Sequence, residues 1–285
     1  MKIVEWRIIY PFEYAKYVHA QDYMIARRQR EESGGGEGIE LITREPYTEG
    51  DETGIYAHKV YHYRSRIPGF IRWLVPNSLT EFHEEGWAAF PHEKLRYSVP
   101  ALQNRTSIFI DCYSYPYSRD DGFPENPCHL TEEELAIREI RYMDIVTMPP
   151  VPTREDWQLS EFKCESAGID LIPKPTRPFD PTKVPEWVEN YKGKMMVNVK
   201  CIKCKINIFG FQKRIENMIT STTVPGIILE SSRAITGWAE EWGKMSPEEL
   251  QNYIRQSDKD VNDSIQDGEP ENQEEKNQEE NPQKK

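Results

Sequence analysis

The alternation of apolar and polar residues along the chain predicts several strands separated by helices. Residues 3–10 are apolar and β-branched and are followed by Pro11, a pattern typical of a strand. Between residues 13 and 32, apolar side chains recur every three or four positions, which predicts an amphipathic helix that ends at a glycine-rich run. The other segments predicted to be extended are 39–44, 55–64, 95–99, 106–117, 139–147 and 195–208.

Helices are predicted mainly in the last third of the chain. Thr131 with Glu134 forms the pattern of a capping box, and Ser246 followed by Pro247 is a typical helix start. Residues 211–219 and 227–242 also have helical periodicity, and Pro225 with Gly226 is expected to break or kink the helix between them. Three further segments are less regular: 68–74 reads as a short apolar helical piece, 79–90 as a helix or an irregular segment beside a cavity, and 148–185 as a proline-rich segment of the kind often found in lids.

The order of these elements predicts an α+β fold. An antiparallel sheet with one face to bury is naturally covered by long helices, and the chain places such helices at its carboxyl end. Residues 1–257 are predicted to form one domain. Residues 258–285 contain only two aliphatic side chains, Val261 and Ile265, so we expect them to be a disordered acidic tail.

Charge and cysteine content limit the possible functions. The 285-residue chain has a net charge of -12, and half of this excess lies in the predicted tail. An acidic chain argues against a nucleic-acid partner. We see neither a cleavable leader nor an apolar run long enough to span a membrane, and the five cysteines are an odd number. Free thiols in the reducing cytoplasm are the simplest expectation.

Three lysines on predicted strands are the most informative candidates for a binding site. Lys59, Lys200 and Lys205 occupy positions where lysine is disfavoured. They can lie on the solvent face of an edge strand, or their ammonium groups can face an anion inside a cavity. Lys59 lies in a tyrosine-rich row, residues 55–63, which we interpret as a cavity wall with a polar end.

Other reactive residues are better explained by ordinary structural roles. Cys201 and Cys204 form a single CxxC pair, and residues three apart on a strand point to opposite faces, so we expect neither a metal nor a redox site. His58 and His62 share a strand face without an evident carboxylate partner. Cys128 and His129 are adjacent in a predicted loop, but nucleophilic catalysis needs a base placed beside the thiol in space, which adjacency in the sequence does not show. Glu84 and Glu85 form a carboxylate pair, and we expect at least one of them to face solvent.

Several motifs, in order along the chain, resemble those of a known family. They are SGGGEGIEL, the run REPYTEGDETGIYAHKVYHYRSRIPGFIRWLVP, the H-E-x-x-W-x-A-F-P pattern at 83–91, YMDIV at 142–146, FGFQKRIEN at 209–217, and the pair Trp238 and Trp242. On these motifs the chain resembles the class I-type phosphatidylinositol transfer proteins. The resemblance extends from the first residues to about Asp258 and is looser between 96 and 185.

The resemblance implies a START-like helix-grip fold in which a curved, mostly antiparallel sheet and long helices enclose one phospholipid. It implies a monomer that carries phosphatidylinositol or phosphatidylcholine between membranes, with no cofactor, no metal and no covalent chemistry. A largely apolar cavity with a few convergent polar groups is the usual form of such a site.

The resemblance also assigns residues to the lipid headgroup. Lys59, Glu84, Lys200 and Gln21 match headgroup-binding positions of the family. Four other headgroup positions are altered, with Ala57, Ala88, Leu95 and Ile254 where the family has hydrogen-bonding side chains. A site built to bond hydroxyl groups loses selectivity when its hydrogen-bonding side chains are replaced, so we expect Lys59 and Lys200 to keep the grip on the phosphate and the selectivity for inositol to be weakened.

Further differences concern the membrane contact and two regulated positions of the family. Ile208 and Phe209 replace two adjacent tryptophans that dock on membranes, and they remain apolar. Cys164 falls near a regulatory serine of the family, and Glu93 falls near a reactive cysteine of its cavity. We therefore expect docking through Ile208 and Phe209 and no thiol sensitivity at position 93, while phosphorylation at position 164 does not follow from the resemblance.

Two other functions remain open at this point. A lipid sensor would bind one phospholipid and present it to a partner enzyme, with slow transfer or none. A hydrolase on the same fold would turn over a lipid ester and would need a nucleophile beside a base.

Overall fold

A large curved open sheet is the framework of the protein. The computed structural model describes residues 1–33, 37–62, 81–149, 159–171 and 175–266. Eight strands are hydrogen-bonded in the order β2-β3-β4-β5-β6-β10-β1-β7, and β8 and β9 form a separate small pair. The strands are β1 Lys2–Tyr10, β2 Gly38–Glu49, β3 Glu52–His62, β4 Glu81–Ala89, β5 His92–Ser98, β6 Thr106–Tyr117, β7 Arg138–Met143, β8 Lys163–Cys164, β9 Ile169–Asp170 and β10 Met195–Ile206.

Adjacent strands of the large sheet pair antiparallel, except β1 and β7, which are parallel. β1 lies near one end of this order, between β10 and β7, and every residue from Ile3 to Tyr10 is buried. Both faces of β1 are therefore covered, and its two buried charges, Glu5 and Arg7, form an ion pair at 2.8 Å. The predicted sheet, mostly antiparallel, is confirmed.

The described helices are α1 Tyr17–Glu32, α2 Glu132–Ile137, α3 Glu186–Asn190, α4 Gln212–Met218, α5 Val224–Gly237, α6 Ala239–Trp242 and α7 Pro247–Gln266, with 3-10 turns at Tyr14–Lys16 and Pro100–Arg105 and a π-helical turn at Ile219–Thr223. Helices from the two ends of the chain cover one face of the sheet, whereas Glu134 of α2 contacts Lys203, which points to the other face. On the sheet side, the indole of Trp6 donates to the carbonyl of Thr220 at 3.3 Å, and the hydroxyl groups of Tyr10 and Ser232 lie 2.8 Å apart.

The first and last long helices pack against each other. The rings of Tyr23 in α1 and Tyr253 in α7 stack with centroids 5.2 Å apart. The hydroxyl of Ser257 donates to the carbonyl of Ala26 at 2.5 Å. The amino-terminal and carboxyl-terminal helices therefore cover the sheet as one layer.

Both predicted helix starts are confirmed. In the capping box of α2, the amide of Glu134 donates to the hydroxyl of Thr131 at 3.2 Å, and the Thr131 amide donates to the Glu134 carboxylate at 3.1 Å. The same exchange joins Ser246 and Glu249 at the start of α7, at 3.2 and 2.7 Å. Each exchange satisfies backbone amides that have no partner within the helix.

The prediction for residues 79–90 was wrong, because most of this segment is the strand β4. β4 pairs with β3 on one side and with β5 on the other. Hydrogen bonding to two neighbours decides its conformation, although its sequence has a weak alternation and includes Gly86.

Two other boundaries also differ from the predictions. The chain stays helical through Pro225, which lies in the first turn of α5, and the irregularity falls in the π-helical turn just before it. A proline in a first helical turn removes little hydrogen bonding. The extended segment predicted at 139–147 ends at Met143, because the Asp144 carboxylate accepts the amides of Val146 and Thr147 and forms a turn.

The predicted tail boundary is also corrected. α7 continues to Gln266, so residues 258–266 are helical and not disordered. Val261 is buried, the Asp258 carboxylate lies 2.5 Å from the Arg44 guanidinium, and the Asn262 amide donates to the carbonyl of Leu41 at 3.2 Å. One buried side chain and these contacts with β2 order a segment whose composition alone predicts disorder.

Some predictions lie outside the described residues: the piece at 68–74, the end of the strand at 63–64, residues 150–158 and 172–174 of the segment 148–185, and the tail beyond 266. Within the described ranges, no helix is long and apolar enough to cross a membrane. All five cysteines are free and buried.

Candidate functional site

The strand register places the predicted headgroup residues on one face of the sheet. Lys59 in β3 lies opposite Glu84 in β4, which lies opposite Tyr97 in β5. Glu93, also in β5, lies opposite Cys112 in β6. Side chains alternate between faces along a strand, and directly opposed residues share a face, so these residues all point the same way.

Lys200 and the altered positions share this face. Lys200 in β10 lies opposite Cys112 and Trp6, and Trp6 contacts the helices. The face is therefore the one that the helices cover. Ala57, Ala88 and Leu95 lie on it at even spacing from Lys59, Glu84 and Glu93.

Lys59 and Glu84 form a buried ion pair. Their Nζ and Oε1 atoms are 3.9 Å apart, and the Tyr61 hydroxyl donates to the other Glu84 oxygen at 2.6 Å. Burial lowers the pKa of Lys59, and the nearby Glu84 carboxylate acts against that change. The ammonium group is thus held in a site of low polarity where any additional anion interacts with it strongly.

Lys200 lies deeper in the sheet, three strands from Glu84. Its ammonium group lies 3.4 Å from the Cys112 thiol. Burial acts to lower the pKa of Lys200, but Cys112, the Glu93 carboxylate and Tyr10 outweigh it and raise the pKa. Burial raises the pKa of the Cys112 thiol to about 11, so the cysteine is protonated and Lys200 is charged at neutral pH.

α1 contributes two polar side chains above this face. The Gln21 amide donates to both oxygens of Glu93, at 2.9 and 3.2 Å. Burial, followed by the charge of Glu93, raises the pKa of Asp22 to about 6, although Arg44 and Lys59 act in the opposite direction. Gln21 is therefore joined to Glu93, which also influences Lys200.

α7 supplies a carboxylate from the other side. Asp258 pairs with Arg44 of β2 at 2.5 Å, and burial raises its pKa although Arg44 and Lys59 lower it. Ile254, the position predicted to replace a family glutamate, packs against the hydrophobic core one turn earlier. The α7 carboxylate that acts on the pKa of Lys59 is thus Asp258.

The sequence-based assignment missed four charged or polar neighbours of this site: Glu93 as a partner of Gln21, and Asp22, Arg44 and Asp258. Glu93 was noted only as a replacement for a cysteine. Asp22 adjoins Gln21 in the sequence, and this adjacency was the available signal. The positions of Arg44 and Asp258 depend on the pairing of β2 with α7, which no local pattern indicates.

The link between β10 and α4 presents the residues predicted to dock on membranes. Phe209 is 98% exposed, and Ile208 beside it is half-buried. Gly210 follows with a φ of 80°, a conformation that favours glycine, and Phe211 is 55% exposed. An aromatic ring with this exposure gains free energy by burial in an apolar phase.

The other reactive residues lie elsewhere. Cys201 pairs in register with Glu5 and Cys204 with Lys2, so the two cysteines point to opposite faces as predicted. Within the described ranges, no group of three metal-ligating side chains is present. Burial raises the pKa of Cys128 well above its usual value, and its thiol donates to the carbonyl of Asp111 at 3.4 Å.

The histidines of β3 lie on the face opposite to Lys59. His58 is 3.0 Å from His83, and His62 is 2.9 Å from a Glu40 oxygen. His62 therefore has a carboxylate partner that the sequence did not reveal. Because these rings point away from the polar face, they do not belong to the candidate site.

Sequence comparisons identify the proteins to which this chain is similar. The profile of the family described as phosphatidylinositol transfer protein matches residues 1–260. Phosphatidylinositol transfer protein 1 of Dictyostelium discoideum is 28% identical over 264 residues, which cover 92% of this chain and 94% of that protein.

Larger proteins are similar over part of their length. Protein retinal degeneration B of Drosophila melanogaster is 31% identical over 272 residues, covering 90% of this chain and 21% of the relative. Membrane-associated phosphatidylinositol transfer protein 1 of Rattus norvegicus is 32% identical over 253 residues, which cover 86% of this chain and 19% of that protein. On the family match over residues 1–260, together with the sheet and helices described above, the chain belongs to the phosphatidylinositol transfer protein family.

Proposed function

We propose that the protein carries one phospholipid at a time between membranes, with the lipid held in a START-like helix-grip fold between the sheet and helices α1, α5 and α7. The observation that supports this most directly is the buried polar face, on which Lys59 and Lys200 lie among apolar and aromatic residues. Membership of a lipid transfer family supports the same function.

In this proposal the lipid phosphate binds Lys200 and Gln21. Lys59, which its motif also assigns to the phosphate, is already paired with Glu84, and the two contact the rest of the headgroup. Charge-assisted hydrogen bonds to a phosphate are strong when the donors are desolvated, and the buried Lys59 and the half-buried Lys200 are both partly removed from water. Each CH₂ group of an acyl chain gains about 0.8 kcal/mol when it is removed from water. The apolar lining of the protein must therefore provide a transfer free energy similar to that of the bilayer interior.

The charges on this face favour a zwitterionic headgroup over an anionic one. Lys59, Lys200 and Arg44 face four carboxylates, those of Glu84, Glu93, Asp22 and Asp258. The carboxylates already balance the positive charges of this face, so an anionic lipid would add a negative charge that has no cation to pair with it among the described residues of that face. Ala57, Ala88 and Leu95 also cannot donate side-chain hydrogen bonds to inositol hydroxyl groups.

We therefore propose phosphatidylcholine as the preferred cargo, with reduced selectivity for phosphatidylinositol. Docking through Ile208 and Phe209, opening of the carboxyl-terminal helices, lipid exchange and closure would complete a cycle that needs no covalent step. The free buried thiols support a cytoplasmic location, and the exposed Phe209 supports transient membrane contact. We propose that the monomer is the active form.

Mass spectrometry of the lipid co-purified from the protein's own host tests the cargo. Phosphatidylcholine is the expected main species, and predominance of phosphatidylinositol would refute the proposed selectivity. A transfer assay with fluorescent phosphatidylcholine between vesicles tests the activity itself, and Lys200→Gln should lower the transfer rate. A protein that holds lipid but does not move it between vesicles would instead be a lipid sensor that presents its ligand to a partner.

A further inference from the structure

A surface cavity of about 410 Å³ lies beside the exposed docking link between β10 and α4. The start of β1, the end of β10 and the first two turns of α4 form its walls, with Lys2, Lys205, Lys213, Glu216 and Asn217 among the lining residues. Its volume is within the range of small-molecule sites. The cavity is separate from the polar face described above, because none of Lys59, Glu84, Glu93 or Lys200 lines it.

The cavity is positively charged in a chain that is strongly negative overall. Three lysines and one glutamate line it, whereas the whole chain has a net charge of -12. Glu216 is buried and accepts the amide of Ile206 at 3.0 Å, which fixes its carboxylate at the end of β10. Lys2 donates to Asn217 at 2.8 Å and lies 3.5 Å from Glu139, so it is mainly part of the wall.

Lys205 and Lys213 are the cations available to a ligand. Both side chains are exposed, and among the described residues neither has a hydrogen-bond or ion-pair partner. Lys205 lies at the end of β10 and Lys213 lies in the first turn of α4, so the link that contains Phe209 connects the two lysines.

The position of Phe209 determines which partner the cavity can meet. Phe209 and Phe211 lie in the link between Lys205 and Lys213, and their rings are 98% and 55% exposed. Apolar side chains that dock on a bilayer enter the boundary between headgroups and acyl chains. Insertion of these rings would therefore bring the two lysines to the level of the lipid phosphates.

We propose that this cavity binds the headgroup of an anionic phospholipid in the membrane on which the protein docks. The bound lipid stays in the bilayer and is distinct from the lipid that is carried. Its phosphate and any carboxylate would interact with Lys205 and Lys213, while Phe209 holds the link in the interface. The inference goes beyond the proposed transfer function, because it concerns which membrane surface is recognised.

Co-sedimentation of the full chain with vesicles tests this site. One set of vesicles contains phosphatidylcholine alone and the other contains phosphatidylcholine mixed with phosphatidylserine. The wild type should bind the mixed vesicles more tightly. The double variant Lys205→Gln, Lys213→Gln should lose roughly thirtyfold in affinity for them, since each lysine near an anionic surface contributes about 1 kcal/mol. Its binding to phosphatidylcholine vesicles should be unchanged.

Two controls separate a site from general electrostatic attraction. Arg214 follows Lys213 on the same exposed part of α4 but does not line the cavity, so Arg214→Gln should cost less affinity than Lys213→Gln. The double variant Lys192→Gln, Lys194→Gln makes the same charge change beside the opposite end of β10 and should have little effect.

Equal losses from Lys213→Gln and Arg214→Gln would overturn the proposal and leave only diffuse attraction. Equal binding of the wild type to both kinds of vesicle would also overturn it. If the double variant did not fold by circular dichroism, the comparison of the two single variants would still decide. The assay measures docking alone, so a failure of lipid transfer would count against the proposed function and not against this site.

Discussion

At the scale of single residues, Glu93 is the side chain that most changes the expected chemistry of the site. It accepts two hydrogen bonds from Gln21 and influences the pKa of Lys200, the two residues assigned to the lipid phosphate. An anion that arrives at these donors must compete with a carboxylate already present. Glu93 should therefore disfavour lipids with a net negative charge.

Replacement of Glu93 by glutamine should increase the share of anionic lipid that the protein binds. At an effective dielectric constant of about 20, two unit charges about 10 Å apart interact by about 1.7 kcal/mol, and an effect of this size would raise the ratio of bound phosphatidylinositol to phosphatidylcholine by roughly fifteen- to twentyfold. Native mass spectrometry after equilibration with mixed vesicles measures this ratio. Glu85→Gln is the matched control, because Glu85 lies on the opposite face of the sheet. An unchanged ratio in Glu93→Gln would contradict the role assigned to Glu93.

Asp22 should make stability depend on pH in an identifiable way. Burial raises its pKa from 3.8 to about 6, so the folded protein retains a proton that the unfolded chain releases. The contribution of Asp22 to the free energy of unfolding should therefore fall as the pH rises from about 4 to about 6. Asp22→Asn should be more stable than the wild type above pH 6, by about 1–2 kcal/mol, because it avoids burial of a charge.

Urea unfolding of both proteins from about pH 3 to about pH 7 measures the effect. The difference between them should vanish near pH 3, below the unfolded value of 3.8, where Asp22 is protonated in both states. A difference that does not vary with pH would show that Asp22 does not titrate in the folded protein as described. Subtracting the two curves removes the contribution of other groups, including Asp258.

At the scale of elements, pairing with neighbours decides what local patterns leave open. β4 is a strand because β3 and β5 pair with it on both sides, although its own sequence was ambiguous. The same pairing brings Glu84 opposite Lys59. The link between β10 and α4 is the contrasting case, because its exposed Phe209 has no structural role that packing would explain.

Phe209→Ala should weaken membrane docking without loss of stability. The ring is 98% exposed, so its removal leaves no cavity in the core. Burial of a phenylalanine in an apolar phase contributes about 1.5–3 kcal/mol, so vesicle affinity should fall at least tenfold. Vesicle co-sedimentation and the thermal unfolding midpoint measure the two properties. A large fall in the midpoint, or unchanged affinity, would show that Phe209 has another role.

At the scale of the whole molecule, α7 connects the sheet edge to the amino-terminal helix. Asp258 and Asn262 contact β2, and Ser257 contacts α1. The folded unit therefore extends beyond the boundary at 257 that composition suggested. An opening movement of the carboxyl-terminal helices would have to break these contacts.

Truncation at two points should separate the folded unit from the acidic segment that follows. A chain that ends at residue 257 should unfold at lower temperature, since it loses the buried Val261 and the contacts with β2. A chain that ends at residue 266 should keep its unfolding temperature and remain longer on anionic vesicles, because acidic residues are repelled by an anionic leaflet. Thermal unfolding and vesicle dissociation rates measure these effects. Equal unfolding temperatures for the two truncated chains would contradict the role given to residues 258–266.

The sequence by itself determined the order and type of most elements, because periodicity and helix caps are local signals. It also placed Lys59, Glu84, Lys200 and Gln21 through motifs that resemble those of the family, and their roles as lipid contacts remain predictions. Only the tertiary structure decided which charges face one another. Glu93 meets Gln21, and Asp258 meets Arg44, through pairings between residues far apart in the chain. Interactions at such separations depend on strand register and helix packing, which leave no local pattern in the sequence.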